Sequence, residues 1–361
     1  MRLEGIKKIL IVNFGGIGDI LLSKPALSAL KNLYTEAEIS ILVAPHIVEI
    51  TKTIPFIKEV IPFHFITDKS HGGKHFFNFK RVKDVIQLLY TLRKKKFDIA
   101  INMRTITSTP SAFKMAIIFF IINAKLNVGR DTDKRGFFFN VKIPETYVGK
   151  MHEMEYDLET VKTLGADISN KEINLHISPS NQNKIEELLK NNGVDKSDTL
   201  IGIHPGGIIS RRWPIENFIK VIGILTEKLN CKIAITGGQS EVNLSQQFKK
   251  KPNNKVINFI GKIDMVELIA LIKRCNIYIT NDTGPMHIAA VLKTPMIAIF
   301  GPGDTNRYDP SKISDKTIVL HNETNCAPCE KIKCSSMKCF DKITPEEVIN
   351  ATLKLLNRGN S

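Results

Sequence analysis

The chain has 361 residues, 43% of them hydrophobic, and 51 Lys and Arg against 36 Asp and Glu give a formal charge of +15. That apolar content excludes a disordered chain, and the length exceeds one ordinary core, so two domains are expected. The most apolar run, Met115 to Ile122, falls well short of the roughly 20 residues of a bilayer span. The first residues lack a signal-peptide layout, so a cytoplasmic protein is expected.

In chain order, residues 7–14 and 37–45 read as buried strands, with a helix pattern over 23–34 between them. A short strand at 58–63, an amphipathic helix at 81–96, a strand at 97–103 and a helix at 108–124 follow, with 126–130 leading out. A polar stretch from Asn174 precedes a short helix over 183–193, and from Leu200 the alternation restarts. Strands are expected at 199–207, 231–238, 255–261, 276–284 and 294–302, with helices between them, and Thr344 caps a closing helix. This alternation predicts an α/β fold of two Rossmann-like doubly wound domains facing across a cleft. The expected division is 1–175, a linker with a short helix at 176–198, a second domain at 199–343, and a C-terminal helix at 344–361.

Gly15-Gly16-Ile17-Gly18-Asp19 follows the first strand. It fails as a dinucleotide fingerprint because Leu21 stands where a third glycine would be, and as a P-loop because no Gly-Lys-Ser/Thr follows. The turn holds Asp19 at a helix start, where a carboxylate either answers the helix dipole or serves as a general base. In the second half, Asn281-Asp282-Thr283-Gly284-Pro285 leads from a strand into a helix with His287 in its first turn. Free N–H groups there suit a diphosphate, His287 is placed to donate, and Asp282 is placed to accept from sugar hydroxyls. Gly206 and Gly207 end another strand, so backbone can approach a ligand, and Arg211 and Arg212 offer charged forks for the same diphosphate. Gly237 and Gly238 end a third, with Glu241 placed for a ribose diol. These strand tips describe a nucleotide-diphosphate pocket.

The basic charge favours anionic partners. Lys69 to Lys96 is the richest stretch, with Phe76, Phe77 and Phe79 among its Lys and Arg. It reads as a solvated face or as a lip for an amphiphilic anionic substrate or a membrane surface; no nucleic-acid motif accompanies it. Asp131 and Asp133 stand in a charged loop, where metal binding is a minor reading. His152 and Glu153 begin a helix that on sequence grounds faces solvent, with the acceptor site as the second reading. Cys326, Cys329, Cys334 and Cys339 are candidate ligands of a structural zinc, although their spacing is not a common paired pattern. Cys231 and Cys275 read as core.

Taken together, the "GGIGD" turn, "WP" after a basic residue, "NDTGPMHIAA" and "FGP" resemble glycosyltransferase family 9, the ADP-heptose:lipopolysaccharide heptosyltransferases. The resemblance implies a GT-B architecture and an inverting transfer that requires no cofactor, from an ADP-sugar to an anionic lipopolysaccharide inner-core glycolipid at the inner face of the cytoplasmic membrane. Carried over by position, Asp19 is the base, and Gly15, Gly16, Gly18, Arg104 and His152 serve the acceptor. Gly206, Gly207, Arg211, Arg212, Gly237, Gly238, Glu241, Ile263, Asp282, Thr283, Gly284, Pro285 and His287 serve the donor, with Ile263 lining the base. Arg211 stands where members of the family carry lysine, which keeps charge and changes geometry. A nucleotide-sugar epimerase of the same architecture and a non-catalytic nucleotide-binding module are the rival readings.

Overall fold

The computed structural model describes residues 3–64, 79–248, 254–329, 331 and 333–358. Residues 65–78, which include Phe76 and Phe77 of the basic aromatic stretch, lie outside the described residues. The chain divides into two compact units, Met1–Ile173 and Asn174–Ser361.

Unit 1 runs β1 (Lys8–Asn13), α1 (Ile17–Leu33), β2 (Glu38–Val43), α2 (Val48–Thr51), β3 (Ile57–Pro62), α3 (Phe79–Lys94), β4 (Ile99–Asn102), α4 (Thr109–Ile122), β5 (Leu126–Thr132), β6 (Val141–Glu145) and α5 (Glu153–Lys162). Its strands pair in parallel in the order β3-β2-β1-β4-β5-β6. Ile9, Leu10, Ile11 and Val12 of β1 are wholly buried, as a central parallel strand covered on both faces requires.

Unit 2 runs α6 (Pro179–Asn191), β7 (Thr199–His204), α7 (Ile215–Lys228), β8 (Cys231–Ile235), α8 (Val242–Phe248), β9 (Val256–Asn258), α9 (Met265–Arg274), β10 (Ile277–Asn281), α10 (Gly284–Val291), β11 (Met296–Phe300), α11 (Thr305–Tyr308), β12 (Thr317–His321) and α12 (Pro345–Arg358). Its parallel order, β12-β11-β10-β7-β8-β9, repeats that of unit 1 when each is counted from its own first strand. In such a sheet the chain reverses direction of growth between the first and fourth strands, and ligands gather at that point. The switch points are β1/β4 in unit 1 and β7/β10 in unit 2.

Sequence periodicity leaves out β6 and β12 and gives β5 only as a lead-out. Both are sheet edges, β6 alternating exposed with buried side chains and β12 half-buried throughout, so their apolar signal is weak. β5 is interior, but it carries Arg130 and Thr132, whose burial only charged partners explain. α6 starts four residues before the expected position because Ser178 Oγ accepts from the Asn181 N–H and Pro179 fits the first turn. No helix among the described residues is long and apolar enough to cross a membrane.

Candidate active site

In unit 1 the turn after β1 brings Asp19 back onto its own loop. Asp19 Oδ2 accepts from the Gly16 N–H at 2.6 Å, and the Asn13 side chain accepts from the Gly15 N–H at 3.0 Å. A Cβ at Gly15 would collide with the Asp19 carboxylate, which accounts for that glycine. Gly18 is buried within the first turn of α1. Arg104, just past β4 on the other side of the switch point, binds Asp19 Oδ1 and Glu153 Oε1, the latter at 3.0 Å.

Behind this pair stands a buried array that periodicity could not reveal. Arg130 on β5 is fully buried and reaches Glu153 at 2.7 Å and Glu145 at 3.2 Å, with Asp157 held by its other Nη. Ser23 Oγ lies 2.6 Å from Asp157 Oδ2 and 2.7 Å from the Asp19 carbonyl, with its single hydroxyl proton serving one of them at a time. The contacts close a ring: Asp19, Arg104, Glu153, Arg130, Asp157, Ser23 and back to Asp19. Two helices make the ring possible, since Asp19 and Ser23 on α1, like Glu153 and Asp157 on α5, are four apart and share a face. Burial works against charge on Arg130, but Glu153, Asp157 and Glu145 outweigh it and raise its pKa.

His152 and Glu153 therefore do not form the solvent-facing helix start that the sequence favours. Both are buried, and Glu153 is the carboxylate between the two arginines. Asp131 and Asp133 serve local structure, Asp131 accepting from the Gly136 N–H at 2.7 Å and Asp133 pairing with Arg135 at 3.3 Å.

The ring predicts a pH dependence of stability. Burial raises Asp157 from 3.8 to about 7, with Glu153 adding to the rise and Arg130 opposing it. Between those values the folded chain keeps a proton that the unfolded chain has lost, so this contribution to stability falls as pH climbs through about 4 to 7 and is flat above. Thermal midpoints of wild type and Asp157→Asn, compared across that window, should converge in slope everywhere except there.

In unit 2, Gly206-Gly207 lie in the loop that follows β7. Gly207 has φ +116°, and a Cβ there would strike the Thr283 side chain; a Cβ at Gly206 would strike Glu241. Packing inside the protein thus requires both glycines, whatever a ligand requires. Glu241, expected at a ribose, accepts from the Gly207 N–H at 2.5 Å and the Gly238 N–H at 2.9 Å, lashing the tips of β7 and β8 together. Gly237 abuts Ile260 in that same turn. Arg212 donates to the Gly207 carbonyl at 2.7 Å and stands 3.5 Å from Glu241. Burial lowers the pKa of His204, which lies 3.9 Å from Glu241.

Across the switch point, Thr283 is the N-cap of α10, which begins at Gly284, one residue before the expected Pro285. Asp282, at the tip of β10, accepts from Arg211 Nη1 at 2.9 Å, so the residues expected at sugar and diphosphate meet each other. His287 is buried in the first turn of α10 with its ring 6.0 Å from that of Tyr308. Asn281 fixes the neighbouring loops, donating to the Pro205 and Gly206 carbonyls and accepting from the Trp213 N–H. Trp213 is buried and donates through Nε1 to the Ile343 carbonyl. Ile263 is half-buried just before the Asp264 cap of α9.

Sequence reasoning missed a polar cleft of about 460 Å³ past the ends of β11 and β12, lined by Asp304, Asn306, His321, Glu323 and Asn325 among others. Gly303 forms its near edge, and a Cβ there would strike Asp282, so the cleft begins directly behind that carboxylate. Cys326 and Cys334 are exposed and Cys339 is buried, and burial together with the neighbouring Cys326, Cys334 and Cys329 raises the Cys339 pKa, although the described residues contain no His, Cys, Asp or Glu group set to hold a metal. No step is assigned to a metal held by these thiols. Cys231 and Cys275 are buried, as read.

Two doubly wound units, each gathering acidic and basic side chains at its switch point, are the build of a GT-B glycosyltransferase. The fold matches the structure of Escherichia coli ADP-heptose lipopolysaccharide heptosyltransferase II with a TM-score of 0.75 at 19% identity, covering 98% of this chain and 100% of that one. A family 9 glycosyl transferase from Veillonella parvula matches with a TM-score of 0.76 at 24% identity, over 99% of each chain. The chain belongs to glycosyltransferase family 9, described as heptosyltransferase, whose model matches residues 85–340. Among curated relatives, lipooligosaccharide heptosyltransferase 2 of one Campylobacter jejuni strain is 27% identical over 95% of this chain and 97% of its own. Its counterpart in a second strain is 30% identical over 73% of this chain and 78% of its own.

Proposed function

We propose that the protein moves a heptose from an ADP-sugar to an anionic lipopolysaccharide-core acceptor, with inversion and without a catalytic metal. Unit 1 supplies the base and the acceptor site, and unit 2 holds the donor. The observation that carries the reading is the pairing of Asp19 with Arg104 at one switch point and of Asp282 with Arg211 at the other. The names of the relatives, lipopolysaccharide and lipooligosaccharide heptosyltransferases, support the sugar and the acceptor class.

In this mechanism Asp19 takes the proton from an acceptor hydroxyl as its oxygen attacks the anomeric carbon opposite the nucleotide. Arg104 meets an acidic group of the acceptor and turns from Asp19 as it does so. The departing diphosphate gains charge, which Arg211, Arg212 and the N–H groups opening α10 stabilise. That positive set does the work a divalent cation does in metal-dependent transfer. The sugar, beyond the diphosphate, extends over the ends of β11 and β12 toward the polar cleft, with Asp282 accepting from its hydroxyls.

The test is turnover with ADP-, UDP- and GDP-sugars, each with and without a heptose-acceptor lipopolysaccharide core, in the presence of a chelator. ADP-heptose should be consumed only when acceptor is present, with the anomeric configuration of the product inverted. Consumption without acceptor would replace this reading with the epimerase. A ligand at 100 times its dissociation constant adds about 2.7 kcal/mol of stability, so thermal shift ranks the nucleotides independently of turnover.

A further inference from the structure

The contacts around Arg104 give it a second part in the transfer, one that rests on the reading of Asp19 as the base. Arg104 donates through one nitrogen, Nη1, to Asp19 Oδ1 and to Glu153 Oε1, so both hydrogens of that nitrogen are engaged by carboxylates. The other Asp19 oxygen, Oδ2, accepts from the Gly16 N–H at 2.6 Å. Each oxygen of the proposed base is therefore already bonded, one to a guanidinium and one to the backbone of its own turn.

The two carboxylates on Arg104 differ in how they are held. The Glu153 side chain is 1% exposed, and it also accepts at 2.7 Å from Arg130, which is wholly buried. The Asp19 and Arg104 side chains are 13% and 22% exposed, so a molecule arriving from solvent reaches them and not Glu153. The Arg104 backbone is fixed as well, because Asn102 Nδ2, on a buried side chain, donates to the Arg104 carbonyl at 2.6 Å. What is left to move is the Arg104 side chain, set between a carboxylate that stays and one that can be replaced. An anionic group on an acceptor replaces Asp19 on the guanidinium with a bond of equal kind. Water is neutral, and its bond to a guanidinium is about half as strong as that of a carboxylate.

We propose that Arg104, pivoting on Glu153, selects an acceptor hydroxyl over water: it covers Asp19 until an anionic acceptor draws it aside. With Arg104 removed and no acceptor bound, Asp19 takes a proton from water as the water oxygen bonds to the anomeric carbon. The diphosphate leaves with the electron pair of the broken C–O bond, and the products are free heptose and ADP. The latch thus protects the donor from hydrolysis. Glu153 acts through Arg104 and is a positioning residue, and Arg130 fixes Glu153 in turn.

The experiment measures ADP release from ADP-heptose without acceptor in wild type, Arg104→Met, Arg104→Lys, and Arg104→Met combined with Asp19→Asn. Arg104→Met should hydrolyse the donor faster than wild type by roughly tenfold or more, since an uncovered general base contributes at least that much. Adding Asp19→Asn should return the rate to the wild-type level or below, an outcome that loosened packing alone does not produce. Arg104→Lys keeps a cation beside Asp19 without the planar fork, and its rate should fall between wild type and Arg104→Met. With acceptor present, Arg104→Met should show a raised KM for the acceptor. Arg104→Met hydrolysis at the wild-type rate, or a raised rate that survives Asp19→Asn, overturns the proposal. Thermal midpoints report folding, and if Arg104→Met is unfolded, Arg104→Lys decides: hydrolysis no faster than wild type overturns the latch. Wild type that transfers heptose while Arg104→Met gains no hydrolysis leaves the transferase reading standing and removes the latch alone. Wild type that transfers no heptose to any acceptor removes both.

Discussion

Asp19→Asn is expected to lower kcat by about a hundred- to ten-thousandfold while leaving donor binding unchanged. The substitution keeps the size of the side chain, and the amide oxygen can still accept from the Gly16 N–H that now meets Asp19 Oδ2. It removes the charge that draws a proton from the acceptor. Arg104 loses one of its two carboxylates and keeps Glu153, so the guanidinium stays paired and the turn should hold. With the donor on unit 2 as proposed, affinity for ADP should not move in a thermal-shift titration. The measurement is single-turnover transfer from ADP-heptose at saturating acceptor. A variant within a few-fold of wild type would remove Asp19 from the mechanism, and a variant that also loses ADP binding would point to misfolding instead.

Arg130→Met should have the largest effect on stability. The wild-type guanidinium answers Glu145, Glu153 and Asp157 in a site from which water is excluded. Methionine fills much of the volume and leaves three buried carboxyls facing one another. Breaking a buried charge cluster from one side costs about 3–5 kcal/mol, a large share of the roughly 5–15 kcal/mol that holds a domain folded. Circular dichroism should show the melting of unit 1 brought down by roughly 10 °C. The loss should be smaller at pH 5 than at pH 8, because protonation of the orphaned carboxyls relieves their repulsion. An unchanged midpoint at pH 8 would mean that the ring contributes little to the fold.

The chain's alternation of buried strands and amphipathic helices made the two doubly wound units legible, and the glycine-rich strand tips marked both switch points. Asp19, Asp282 and Arg211 were legible because each stands within a few residues of such a tip. Glu153, Asp157 and Arg130 were not. Their contacts join a strand to a helix that starts over twenty residues later, and a single sequence gives no sign that Arg130 has three carboxylate partners. The i, i+4 pairs on α1 and α5 were the available hint, and they acquire meaning only when the two helices are packed together. Glu241 shows a different limit. Its place near a glycine pair suggested a ribose, and spacing gave no sign that the same carboxylate accepts from two backbone amides of the adjacent turns. Local spacing names residue types near a ligand but does not separate those that touch it from those that brace the loops.

Trp213 is the chain's single tryptophan, and it is enclosed in unit 2 between the Asn281 amide and the start of the C-terminal helix. Indole emission is therefore a one-sided witness. It follows loosening of unit 2 and is blind to collapse of unit 1, so a melt recorded by that signal alone would score a ruined Arg130 variant as sound.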